Sequence, residues 1–296
     1  MPTSHQLSVV IPAYNRAGIL PEAIESVLSQ GHHEIQVVVV DDGSTDETPA
    51  LASRYDSRVL WIRQENHGQS HARNRGFQQS NGELVAFLDS DDLLLPQRVA
   101  TDRRLFAEFP SADVVVTDCE LWMENQLSCA SLLRDRLSRN GWPLAMDGPE
   151  FVPESSEYWL KGKHFATCTM TFRRSALQRL GPQVFDDRLR CFEDWDLEIR
   201  MLRCCRVLVT QQVLSKVRLF DDGTRIDRPA MRRPPTPRQY RLKLEWQIYV
   251  VEKTIAAGGW KPEIVQALST RREELNLLLA SRAAEEHTGA GAAIPS

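Results

Sequence analysis

The sequence has no apolar run that approaches the roughly 20 residues of a membrane-spanning helix. Its opening stretch, MPTSHQLSVVIP, lacks a basic segment followed by a long apolar one, so no secretory leader is expected. No two cysteines have the C-x-x-C spacing, and no Cys/His set has the spacing of a zinc site. The six cysteines (Cys119, Cys129, Cys168, Cys191, Cys204 and Cys205) are therefore expected as free, mostly buried thiols in a reducing cytoplasm. An excess of basic charge is missing too. The 36 Lys and Arg face 40 Asp and Glu, for a formal net charge of −4. That excludes a broadly basic surface, and nucleic acid is not an expected partner. Internal repeats are also absent. These absences describe a cytoplasmic protein that at most touches the inner face of a membrane.

What is present is an alternation of strand and helix patterns in a chain of 296 residues, 42% of them hydrophobic, enough for one large α/β domain or a domain plus an appendage. LSVVIPAY reads as a buried strand from Leu7, stopped at Pro12. A helix follows, with Ile19, Leu20, Ala23, Ile24, Val27 and Leu28 on one stripe. EIQVVVVDD is a second strand. STDE offers a capping box, with Ser44 as cap and Glu47 three residues on. RVLWI is a third strand and QSHARNRGFQQS a helix ending near Gly82. ELVAFLDSDD is a fourth strand, Pro96 opens another helix, and ADVVVTD is a fifth strand. From about Glu120 to Phe165 the pattern weakens into an expected insertion or long loop system. ATCTMTFRRSALQRLG restores a strand and helix, FEDWDLEIRMLRCC is an amphipathic helix, and RVLVT a further strand. Such alternation implies parallel pairing through right-handed crossovers, with ligands bound beyond the carboxyl ends of the strands.

Several strands end on acids. Asp41, Asp42, Asp89 and Asp91 are thereby expected along one sheet edge. In an extended segment, Asp89 and Asp91 face the same way and could share one hard divalent cation, Mg²⁺ or Mn²⁺. The competing reading of this Asp-x-Asp run is a helix cap, because Asp92 precedes LLLPQR. Asp41 and Asp42 point to opposite sides of a continuing strand, so at most one faces a pocket. The other accepts backbone N–H bonds in the turn at Gly43, and on chemistry alone capping is the expected role of the pair. Arg73 and Arg75 could offset these acids or grip phosphate, or else lie on a solvated helix face. His67 and His71 are four apart but lack a third ligand, which favours surface histidines over a metal site. Glu193, Asp194 and Asp196 sit at a helix start, where the dipole alone would explain them; the functional reading makes one a general base.

Taken together, SVVIPAYNR, VVVVDDGSTDET, HARNRGF, GELVAFLDSDD and FEDWDLEIRML, in this order and spacing, resemble family 2 glycosyltransferases of the GT-A fold. The likeness covers about Leu7 to Arg218. It implies a mixed, mostly parallel central sheet flanked by helices over residues 1–222. Residues 1–118 would form a Rossmann-like nucleotide-sugar-binding half and residues 119–222 an acceptor half. A Pro- and Arg-rich linker is expected over 223–238, a helical extension over 239–286 and a disordered tail over 287–296. The resemblance further implies a nucleotide-sugar donor, usually a UDP-sugar, a divalent cation, and transfer with inversion in a single displacement. By this likeness Pro12, Ala13, Tyr14 and Asn15 line the nucleoside pocket, Asp42 bonds the uracil and Arg73 lies near the nucleotide. Asp89 approaches the ribose or a metal-bound water, Ser90 contacts the nucleotide sugar, and Asp91, with Asp89, holds the metal. Asp194 acts as base, Glu193 orients a sugar, and Thr167–Thr171 face the acceptor. Many relatives carry Tyr-Arg-x-His after the last core strand. Here KVRLFDDG retains Arg218, a candidate diphosphate contact, but has Phe220 at the His position, so that the metal would rely on Asp91 and diphosphate oxygens, with Asp221 or Asp222 as candidate substitutes.

Two rival readings remain at this stage: a phosphatase with an aspartyl nucleophile, and a non-catalytic module that binds nucleotide sugars. The acceptor expected from the family likeness is a glycan or lipid-linked glycan, as in polysaccharide biosynthesis. The stripe Leu244, Ile248, Val251 and Ile255 should pack on the catalytic domain or on a second subunit in a homo-oligomer. The cluster Arg225, Arg228, Arg232, Arg233 and Arg238 reads as a solvated linker, with contact to anionic lipid as the alternative.

Overall fold

A computed structural model describes residues 6–31, 34–139, 148–153, 163–220 and 237–288. Most of the Arg cluster, Asp221, Asp222 and the expected tail from residue 289 on lie outside them. The chain runs β1 (Leu7–Ala13), α1 (Leu20–Leu28), β2 (Ile35–Asp41), a 3-10 turn (Thr48–Leu51), α2 (Ala52–Tyr55), β3 (Val59–Arg63) and α3 (Gln69–Gln79). It continues with β4 (Leu84–Phe87), β5 (Leu93–Leu94), α4 (Arg98–Glu108), β6 (Val114–Met123), β7 (Gln126–Cys129), α5 (Leu132–Arg139) and β8 (Glu150–Phe151). β9 (Met170–Arg173), α6 (Arg174–Arg179), α7 (Glu193–Cys204), β10 (Val207–Leu219), α8 (Pro237–Ala256) and α9 (Pro262–Thr288) complete it.

One sheet organises these elements in the order β3-β2-β1-β4-β9-β6-β10-β5, with β7 beside β6 and β8 beside β10. β3, β2, β1 and β4 are mutually parallel. β9 runs antiparallel between β4 and β6, whereas β6 and β10 are parallel. The sheet is therefore mixed, and its parallel part carries both faces buried. In β1 and β2, Val9, Ile11, Val37 and Val39 pack with Ala23, Ile24 and Val27 of α1. Val10, Val38 and Val40 pack with Ala72 and Phe77 of α3 on the other face. This is why the valine run shows no polar alternation.

Some local expectations change. The capping box does not form: Ser44 Oγ instead accepts the Asn15 N–H at 2.9 Å. The 3-10 turn that follows begins at Thr48 with no side-chain cap. The fourth strand stops at Phe87, and Asp92 N–H donates to Asp89 O at 2.9 Å. Asp89–Asp92 is thus a tight turn, not an extended segment, and the side-chain parity argued for an extended run does not apply to it. Leu93–Leu94 then pair antiparallel with β10 before α4 starts at Arg98. Between Glu120 and Phe165 the described residues include the end of β6, β7, α5 and β8. Asp118 organises part of this region by accepting the Leu133 N–H at 2.8 Å and the Ser131 hydroxyl.

α8 and α9 form a cap over α7 and the loop before it. Leu244, Val250, Val251, Ile264, Leu268 and Leu275 bury against Leu189, Trp195 and Ile199. A polar clamp reinforces the contact. Lys253 Nζ reaches Asp186 at 2.9 Å and Asp196 at 2.7 Å, and Tyr249 Oη donates to Asp186 at 2.9 Å. Burial works against charge on Asp186. Hydrogen bonds from Arg188, Lys253 and Tyr249 outweigh it and hold the carboxyl below the ordinary range. Among the described residues no helix is long and apolar enough to cross a membrane.

A Cβ on Gly76 would lie 2.3 Å from Val10 Cγ1 and 3.1 Å from Val40 Cγ2, so α3 sits directly on the sheet. Gly76→Ala should lower the unfolding free energy by about 1–3 kcal/mol, read as a reduced urea midpoint at unchanged slope. For Asp186 the depressed folded-state pKa stabilises at pH values above the unfolded value of about 3.9, and the effect fades as pH falls through the folded one. Asp186→Asn should therefore lower the thermal midpoint at pH 7. The gap to the parent protein should narrow when melts are repeated below about pH 4.

Candidate active site

The carboxyl ends of β1, β2 and β4, the start of α3 and the start of α7 enclose one cleft of about 630 Å³. Pro12, Ala13 and Tyr14 line it from β1, and Tyr14 is 45% exposed. Asn15 is not among the lining residues. It adopts φ +52°, and its Oδ1 accepts the Thr45 N–H at 2.8 Å, fastening the β1 end to the loop after β2.

The paired aspartates after β2 part company. Asp41 accepts the Ser44 N–H at 2.9 Å inside the turn. Asp42 faces the cleft wall and accepts the His67 N–H at 2.9 Å, the Gly68 N–H at 2.8 Å and Gln64 Nε2 at 2.6 Å. Asp42 thereby sets the path of the chain into α3. Gly68 has φ +93°, a conformation that only glycine adopts without strain.

Arg73, 1% exposed, links the two walls. Nη2 reaches Asp89 at 2.5 Å and Nη1 reaches Glu193 at 3.0 Å, with the guanidinium over the Phe185 ring at 5.0 Å. Burial opposes its charge, but Asp89 and Glu193 outweigh that and hold it above the ordinary arginine value. Arg75 instead points to Gln64 Oε1 at 3.4 Å. The rings of His67 and His71 lie 4.8 Å apart, and His71 Nδ1 is 3.0 Å from Gln64 Nε2. Neither joins a group of three metal-ligating side chains among the described residues.

That group is Asp89, Asp91 and Asp92, whose ligand atoms lie within 4.8 Å of one another. The turn after β4 creates it, and it includes Asp92, a residue read from sequence as a helix cap. Ser90 lines the cleft beside them.

The three acids of α7 have three different partners. Glu193 accepts Gln69 Nε2 at 2.7 Å and Arg73. Its burial, followed by the nearby Asp194 charge, pushes its carboxyl up; Arg73 and Lys163 oppose this only in part. Asp194 pairs with Lys163 through Oδ2, and its Oδ1 accepts the Trp195 N–H at 2.8 Å. Asp196 turns away to Arg200 and Lys253. Phe192, which precedes the helix, has φ +64°, so this helix start is held in a strained conformation.

Other expected residues fall elsewhere. Of Thr167–Thr171, Thr167 lines the cleft, while Thr171 Oγ1 belongs to a buried network with Arg98 at 3.0 Å and Asp102 at 2.7 Å. Arg218 is not brought to the cleft. Val217 and Leu219 line it, and Arg218 lies on the opposite face of β10, with Nε bonding Asp91 O at 2.5 Å and Nη1 pairing with Glu22. Gln69, Lys163, Arg136 and Arg190 also line the cleft without having been singled out. Only Gln69 had a signal, four residues before Arg73 on one helix face.

Residues 8–181 match the model of the family described as Glycosyl transferase family 2. An uncharacterized glycosyltransferase of Rickettsia typhi is 29% identical over 221 residues, 74% of this chain and 65% of that protein. Another, of Nostoc sp., is 33% identical over 181 residues, 60% of this chain and 53% of that protein. The matched region thus spans less than two thirds of either relative. Among solved structures, S. aureus TarS in complex with UDP-GlcNAc superposes with a TM-score of 0.65 at 20% identity, over 90% of this chain and 72% of TarS. The mannosyltransferase PcManGT of Pyrobaculum calidifontis, in complex with GDP-Man and Mn²⁺, gives 0.63 at 20% identity, over 99% of this chain and 78% of that one. These likenesses show the GT-A fold.

Removing one member of a buried ion pair leaves an uncompensated charge, at a cost of about 3–5 kcal/mol. Arg73→Met should therefore lower the unfolding free energy by about that much in urea titrations. Adding Glu193→Gln to it should recover part of the loss, because one stranded carboxylate is then neutral.

Proposed function

The chain belongs to glycosyl transferase family 2, and from this premise we propose that it transfers a sugar from a nucleotide-diphosphate sugar, a UDP-sugar first of all, to a hydroxyl of a glycan or lipid-linked acceptor. The observation that carries this reading is convergence: Asp42, Asp89, Asp91, Glu193 and Asp194, from separate parts of the chain, open onto one cleft. A pocket of this size, with a few convergent polar groups, suits a ligand as large as a nucleotide sugar.

The donor's base would sit against Pro12, Ala13 and Tyr14, with its edge toward Asp42. Hydrogen bonds from His67, Gly68 and Gln64 keep the Asp42 carboxylate fixed for that contact. Asp89 and Ser90 would meet the ribose, and Arg73 holds Asp89 in place. The all-oxygen set at Asp89, Asp91 and Asp92 fits a hard divalent cation, Mg²⁺ or Mn²⁺, with Asp91 and Asp89 as its ligands. When bound, such a cation supplies neutralising charge to the departing diphosphate.

In the transfer step, the acceptor oxygen forms a bond to the anomeric carbon as the bond from that carbon to the diphosphate oxygen breaks. Asp194 takes the hydroxyl proton. Attack from the face opposite the leaving group inverts the anomeric centre, by the same logic as in inverting hydrolases. Two contacts position Asp194 for this. The Trp195 N–H fixes one oxygen, and Lys163 holds the other. Glu193, pinned by Gln69 and Arg73, orients the sugars and not the proton.

A thermal-shift screen of UDP-, GDP- and dTDP-sugars, each with and without Mn²⁺, should show stabilisation by a UDP-sugar that is larger with the metal. Asp194→Asn should cut transfer by about a hundredfold to ten-thousandfold while donor affinity stays near that of the parent. Near-normal turnover in that variant would remove Asp194 from the role of base.

A further inference from the structure

Six basic side chains line the cleft: Arg16, His67, Arg73, Arg136, Lys163 and Arg190. Two of them are already matched by acids. Arg73 is held between Asp89 and Glu193, and Lys163 is held by Asp194. Arg136 and Arg190 differ. Arg136, half-buried on α5, donates from Nη1 to the His164 carbonyl at 3.0 Å, and no carboxylate among the described residues pairs with it. Arg190 is exposed on the loop before α7 and has neither a hydrogen bond nor an ion pair among the described residues. Its Nη1 would lie 2.8 Å from a Cβ on Gly68, so the guanidinium rests against the backbone at the start of α3. It reaches across the cleft mouth from one half to the other.

The surroundings of these two groups favour an anion. Ser70, in the first turn of α3, lines the same cleft and is 3% exposed, and its Oγ has no hydrogen-bond partner. The opening N–H groups of a helix also lack partners within it and favour negative charge. A planar guanidinium presents a rigid fork of donors that matches a phosphate, whereas a neutral sugar gives it no charge to meet.

We propose that Arg136 and Arg190 form a phosphate-binding subsite on the acceptor-half wall of the cleft. This deepens the transferase reading above and rests on it. The phosphate group comes from one of two sources: the diphosphate of the donor, or a phosphate carried by the acceptor. Phosphate chemistry is common to both, and binding measurements separate them.

The full chain is titrated by calorimetry with UDP and with uridine, and the UDP-saturated chain with glycerol 3-phosphate. The parent protein is compared with Arg190→Met and Arg136→Met. Arg190 is exposed and makes no hydrogen bond or ion pair among the described residues, so its variant remains informative even where Arg136→Met loses stability. A charged hydrogen bond of this kind is expected to be worth at least about tenfold in affinity. Weaker UDP binding by that factor, with uridine unchanged, supports the subsite and assigns it to the donor. Unchanged UDP binding with loss of glycerol 3-phosphate binding supports it and assigns it to the acceptor. Equal weakening of uridine and UDP, or no change in any arm, overturns the subsite while leaving the transferase reading intact. A parent protein that binds none of UDP, GDP and dTDP overturns both.

Discussion

Arg73 is the constraint on which the rest of the site depends. It is buried, it cannot lose its proton, and it needs two carboxylates to be tolerated there. One of them, Asp89, lies in the turn after β4; the other, Glu193, begins α7. Satisfying this one cation therefore fixes the spacing of the two walls. It also commits the Glu193 carboxylate to Arg73 and Gln69. A buried ionic bridge adds little net stability over a well-packed apolar one, so its value here lies in fixing geometry.

The first turn of α7 shows how neighbouring acids acquire different work. Successive residues on a helix point about 100° apart. Glu193 meets the arginine of the opposite wall, Asp194 meets Lys163 in the cleft, and Asp196 meets the clamp that holds the C-terminal helices. A single turn is thus tied to α3, to the cleft and to the C-terminal helices at once. The Arg98–Asp102–Thr171–Ser215 network does comparable work behind the cleft, joining α4, β9 and β10 through fully buried polar contacts.

Much of this was legible in the sequence because it is local. The valine runs of β1 and β2 could bury on both faces only in a parallel sheet, and the acids that follow them had to end at its carboxyl edge. The stripe of α8 marked a packing face, and the fold buries Leu244 and Val251 there. What was illegible depended on turns and distant partners. Asp92 joins Asp89 and Asp91 because the chain turns at Ser90 and Asp91, and no alternation rule anticipates that. Lys163 sits in a stretch without periodicity, and its pairing with Asp194 spans 31 residues of sequence. Arg218 shows the converse. Its place in a motif suggested the diphosphate, but strand parity sets it opposite Val217 and Leu219, where Glu22 and the Asp91 carbonyl engage it.

The packing beneath α8 and α9 reaches beyond the segment that the family model matches. The family match ends at residue 181, before the helix that carries Asp194. That helix hides Trp195 and Ile199 under residues drawn from both C-terminal helices. A fragment trimmed to the recognisable family segment would lose Asp194 itself, and one trimmed after β10 would bare an oily surface directly under it. The extension therefore belongs to the smallest piece that can hold the start of α7 steady.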